Sequence, residues 1–240
     1  MRVHIPASDS GVLIPKELRA REAHLFPKER SDQWRAILDR GVSAGFQEIP
    51  LEKALAGLAV AGFTPDEART ILAPLFQEAH SGTHARHALL KVREGVLKGA
   101  PFEELRSAVH NRHQWINKAK DLLILTGHEG TIEETPALLV ATALALESGL
   151  HPLFLQEVLS AGKDRSLNRI KVVMEVSESL HHAGFAQKEL HLVMRDCLIN
   201  DLECAEIERV ARHIKGKLRE GLDSETIRNE LWRSPGPASV

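Results

Sequence analysis

Apolar residues return along this chain at intervals of three and four, and a glycine closes stretch after stretch of them. The clearest stretch runs over 65–79, where Ala68, Ile71, Leu72, Leu75, Phe76 and Ala79 line one face of a helix. Its start is as legible as its face. Thr64 is a capping residue, Pro65 suits the first helical position, and Glu67 three residues after Thr64 completes a capping box. Ahead of them Gly62 supplies the left-handed residue that ends the preceding helix, with Phe63 placed to pack back over that end.

The same order recurs at Gly45-Phe46, Gly99-Ala100-Pro101, Gly149-Leu150-His151-Pro152, Gly184-Phe185 and Gly221-Leu222-Asp223-Ser224. The steps from Gly62 to Gly99, Gly149 to Gly184 and Gly184 to Gly221 each match the length of one two-helix repeat. The pattern predicts helices over 15–26, 28–44, 50–61, 65–79, 84–98, 102–125, 136–148, 152–161, 167–183, 187–199, 202–220 and 224–233. The very apolar 136–148 is expected to be the most buried. No segment alternates with period two over a useful length. The expected fold is therefore all-α, an array of antiparallel helical hairpins with about 11–12 helices, α-solenoid-like or an irregular multi-helix bundle.

Residues 1–14, with Pro6, Ser8, Asp9, Ser10 and Gly11, read as an extended lead-in, and 234–240 as a flexible tail. Between them, 15–233 form a single helical-repeat domain. The loose link at 126–135 stretches one repeat step: either two lobes meet there or one array absorbs an insertion, and one continuous curved array is the favoured reading.

Composition narrows the functional classes. The 240 residues carry a formal charge of −2 with acids and bases interspersed, which argues against nucleic-acid or anionic-membrane binding. Tyrosine is absent and the three tryptophans, Trp34, Trp115 and Trp232, supply neither base-stacking platforms nor aromatic cages. No transmembrane segment is expected, because the most apolar run, 137–146, falls well short of the roughly 20 residues a span needs. The opening Met1-Arg2-Val3-His4-Ile5-Pro6 has no apolar signal-peptide centre. That implies a cytoplasmic location if Met1 is the native start, and a periplasmic or secreted one if a signal peptide was removed. Cys197 and Cys204 flank a turn at Asn200-Asp201, which holds their sulfurs apart and makes them small apolar side chains rather than a disulfide.

Thirteen histidines include two His-x-Arg-His motifs, His84-Ala85-Arg86-His87 and His110-Asn111-Arg112-His113, nearly symmetric about Gly99. Four imidazoles on facing helices have the composition of a transition-metal site. The helix faces argue otherwise: Leu89, Val92 and Val96 set one core side and Leu105, Val109, Ile116 and Leu123 the other, which turns His84, His87 and His110 outward and His113 to the flank. Glu178-Ser179-Leu180-His181 shows the Glu-x-x-His spacing of carboxylate-bridged metal sites, but only once. His181 and His182 close a helix, where their charge suits the dipole. Arg209, Arg212, His213, Lys215, Lys217 and Arg219 follow Glu203, Glu206 and Glu208 along one helix, which reads as a solvated, dipole-matched face rather than a phosphate site. Nucleophile-elbow, zinc-protease, dinucleotide and P-loop motifs are missing. No catalytic, cofactor-binding or metal-binding residue is assigned, and no cofactor is expected.

The segment Leu89-Leu90-Lys91-Val92-Arg93-Glu94-Gly95-Val96-Leu97-Lys98-Gly99-Ala100-Pro101 resembles a group of uncharacterised bacterial helical-repeat proteins. Those carry a Lys-Val-x-Glu-Gly-x-x-Lys-Gly-x-Pro stretch followed by serial Gly-Leu/Val-x-Pro-Glu turns, and the similarity extends over 51–232. Members often begin with a secretory signal, so the resemblance implies an extracytoplasmic home; it brings no activity and no site residue.

The functional expectation is a non-enzymatic helical-repeat protein that binds a protein or peptide partner along an exposed face. The alternative is a small-molecule or metal-binding helical domain that uses clustered histidines or carboxylates.

Overall fold

Eleven helices and no strand account for the described residues, 31–76, 82–128 and 136–231 of the computed structural model, which describes backbone alone over 82–86. In order they are α1 (Ser31–Ser43), α2 (Glu48–Val60), α3 (Pro65–Phe76), α4 (Gly82–Leu97), α5 (Phe102–Leu125) and α6 (Pro136–Glu147). There follow α7 (Pro152–Ala161), α8 (Leu167–His182), α9 (Gln187–Ile199), α10 (Cys204–Arg219) and α11 (Ser224–Leu231). The expected bounds of α5, α7 and α9 match residue for residue. The expected helix over 15–26, the lead-in, the tail, the end of the 65–79 stretch and most of the 126–135 link lie outside the described residues.

Two boundaries differ from expectation for a clear reason. The second helix starts at Glu48 rather than Pro50, with Gln47 at the N-cap. Pro50 then falls in the first turn, where an N–H has no intrahelical partner to lose. The tenth starts at Cys204 rather than Leu202, because Asp201 takes a left-handed conformation (φ 58°) and Glu203 becomes the N-cap of a capping box with Glu206.

Eight helix ends share one geometry. Gly45, Gly62, Gly99, Gly127, Gly149, Gly184, Asp201 and Gly221 all have positive φ. At each, the next residue's N–H returns to a carbonyl five residues back, as in Phe63 to Leu58 (3.0 Å) and Phe185 to Leu180 (3.0 Å). This is the Schellman cap, and it brings an apolar residue back over the helix end. Phe46, Leu150 and Phe185 fill that position in full burial.

Packing follows chain order. Each helix touches the one two places along: α1 with α3, α2 with α4, and so on to α9 with α11. The odd-numbered helices thus form one row and the even-numbered helices another, with hairpin contacts joining the two. The antiparallel hairpin array expected from the glycine turns is the observed architecture. Its apolar interior falls into two clusters, one from Trp34 to Val109 and one from Ile116 to Leu231, and α5 contributes to both. The sixth helix is the most enclosed, with Leu138 to Ala143, Ala145 and Leu146 all buried. No described helix is long and apolar enough to cross a membrane.

Candidate functional site

The stretch of α5 that separates the two clusters is His110-Asn111-Arg112-His113, the second of the two histidine motifs. His110 is exposed, with its Nε2 2.8 Å from the Gln114 amide nitrogen; His113 is half-buried, 3.3 Å from that of Asn117. His87 is half-buried on α4, and the His84 side chain lies outside the described residues. Among the described residues, no group of three or more His, Cys, Asp or Glu side chains could hold a metal ion. The motif's inward-facing member is Arg112. Its guanidinium reaches Glu147 at the end of α6 (2.6 Å), while Lys91 of α4 approaches the same carboxylate at 4.0 Å. A charged seam therefore crosses the array where the apolar clusters part. Glu178 of α8 belongs to it: burial raises its carboxyl above the usual range, opposed by His182 and Arg112 and assisted by Glu147 and Glu175.

His182 leads from this seam to a concave surface on the even row. Alpha-helices 8 and 10 lie side by side, and two adjoining hollows of about 270 and 430 Å³ run between them. The floor of the first is apolar. Val172, Val176 and Ala211 keep 7–9% of their surface exposed there, whereas Val173, Val210 and Ile214 on the same helices are fully enclosed. Glu175 and Glu208 rim the first hollow, Arg212 adjoins them, and His182, Lys215 and Arg219 rim the second. The groove thus runs from acidic to basic along the shared direction of its two helices.

Ser179 and Lys215 stand where the hollows meet, the lysine amine donating to the hydroxyl at 2.6 Å. A serine beside a lysine is also the pair used by some hydrolases, which need in addition N–H donors for the oxyanion. Ser179 sits inside α8, three residues before its end, where backbone N–H groups are taken up by the helix. The pair can position a ligand; it lacks the parts for acyl transfer.

The basic run of α10 divides in space. Arg209, Arg212 and Lys217 have carboxylates of their own helix or its end nearby, namely Glu206 at 3.7 Å, Glu208 at 4.0 Å and Glu220 at 2.9 Å. That much is the expected dipole-matched face. Lys215 and Arg219 instead line the groove, and neither forms an ion pair among the described residues. Sequence reading missed Ser179, Val172, Val176 and Ala211 as groove residues. A signal was available: Ser179 and Lys215 are 36 residues apart, one step of the glycine spacing.

Both cysteines are free thiols, Cys197 buried and Cys204 half-buried. Burial pushes the Cys197 thiol up to about 12, which leaves it inert at neutral pH.

Comparison of the chain with protein-family models, with curated proteins and with solved structures gives no match.

Proposed function

We propose that this protein is a non-enzymatic helical scaffold, and that it binds a segment of a partner protein in the groove between α8 and α10. The observation that carries the reading is an apolar floor at Val176 and Ala211 bordered by two cations, Lys215 and Arg219, that lack ion-pair partners among the described residues. An apolar strip with placed charges suits side-chain recognition of a peptide segment. The residues around it offer no nucleophile with its base and oxyanion donors, which favours binding over turnover. The resemblance at Leu89 to Pro101 adds the proposal that this scaffold is one of a bacterial helical-repeat group with an extracytoplasmic home.

Selection from a random-peptide display library against the purified protein tests this reading. Enrichment of peptides that wild type retains and a Val176→Asp/Ala211→Asp variant releases is the expected result. A library with no enriched sequence, or with peptides indifferent to that change, would overturn it.

A further inference from the structure

Resting on that groove as the binding surface, we infer that its occupant is an acidic protein segment, with apolar side chains over Val176 and Ala211 and carboxylates against Lys215 and Arg219. The charges around the groove decide the sign. At the acidic end the rim is already neutralised: Glu175 pairs with Lys171 at 3.1 Å, and Glu208 has Arg212 at 4.0 Å. At the basic end His182, Lys215 and Arg219 converge with no acidic side chain in the lining. His182 has Glu178 at 3.9 Å, which leaves the two longer cations as the uncompensated charge.

Their spacing limits the ligand further. Lys215 and Arg219 are four residues apart on one helix, about 6 Å along its axis. Carboxylates on alternate residues of an extended segment, at roughly 3.3 Å per residue, match that interval. The Lys215 amine is held by the Ser179 hydroxyl, so it is oriented before a ligand arrives. The apolar floor lies toward the acidic rim from these cations. The matching segment therefore carries its apolar residues at one end and its acids at the other. This charge and shape pairing favours a peptide over a polyanion such as nucleic acid, which would find no use for the apolar floor.

Fluorescence anisotropy with a labelled peptide of leucines followed by alternating glutamates tests the inference, beside a counterpart with lysines for glutamates and a labelled oligothymidylate. The glutamate peptide should bind wild type, bind roughly tenfold more weakly to the Lys215→Gln/Arg219→Gln double variant, and keep its affinity for Arg93→Gln, an exposed change on α4. Both variants alter exposed or half-exposed side chains, and matching thermal melts identify them as folded. Equal binding of the lysine peptide, an unchanged affinity in the double variant, or tighter binding of the oligothymidylate would overturn the inference. Display-selected peptides that occupy the groove without acidic residues would overturn it too, yet leave the scaffold reading standing; absence of any selected peptide would remove both.

Discussion

Arg112 and its neighbours in the motif separate conspicuous residues from consequential ones. The histidines at 110 and 113 draw notice by composition, and a ring nitrogen of each meets an amide four residues along the same helix. Arg112 is 11% exposed and holds Glu147, itself 27% exposed, across a helix interface. Arg112→Ala leaves that carboxylate with Lys91 at 4.0 Å, and is expected to cost about 2 kcal/mol, between the values for exposed and fully buried pairs. His110→Ala should stay within about 0.5 kcal/mol. Urea denaturation of the two variants checks the contrast; equal losses would contradict it.

His128 makes a different point. It fills the buried position after Gly127 that an apolar residue fills elsewhere, as Leu150 and Phe185 do. Burial, and secondarily Lys163, hold its imidazole below the ordinary range, with the Thr126 hydrogen bond opposing. A depressed histidine lends stability above its unfolded-state value of about 6.5 and loses it as pH falls through the folded value. Melting wild type and His128→Leu at about pH 8 and about pH 5 should show a smaller acid-induced drop in the variant. Parallel drops would contradict this.

Among elements, the turns are where local sequence and tertiary packing can be told apart. Thr64 and Glu67 form the capping box read from their spacing, with the Thr64 N–H 2.7 Å from the Glu67 carboxylate. Asp223 likewise caps through the Thr226 N–H at 2.9 Å. Ala186 is a weak cap: it offers no side-chain acceptor, while its own N–H donates to Ser224 of the neighbouring turn at 2.9 Å. Ala186→Ser is expected to stabilise the protein by about 0.5–1 kcal/mol, because position 186 is exposed and already has N-cap backbone geometry. Thermal melting measures this, and a loss of stability would show the site to be limited by packing.

Helix identity and most bounds were legible because caps and stripes are local chemistry. Asp201 was less so: a turn is legible there, but the contacts of its carboxylate with Arg165 (2.7 Å) and Arg169, residues more than thirty positions away, are not. The groove was least legible. A hollow between α8 and α10 is a property of how two helices pack, and neither helix alone announces it.

For the whole molecule, the interval between contacting residues carries the organisation. Ser179 meets Lys215, Asn168 meets Cys204, Gln187 meets Gly149 and Ala186 meets Ser224 across separations of 36 to 38 residues. The first two pairs join α8 to α10 and the other two join successive turns, so this half of the array is stitched by polar contacts one two-helix step apart. Among the described residues, the side of the even row between α8 and α10 combines an apolar floor with two cations that form no ion pair. Exposed apolar side chains occur elsewhere too, as at Val60 and Leu97 on the ends of α2 and α4.

Methyl NMR of the labelled protein with the leucine–glutamate peptide distinguishes these surfaces most directly. Binding in the groove predicts that titration moves the methyl resonances of Val172, Val176, Ala211 and Leu218, and leaves those of Val60 and Leu97 in place. Shifts centred on Val60 and Leu97, or no shift in the groove at saturating peptide, would contradict it.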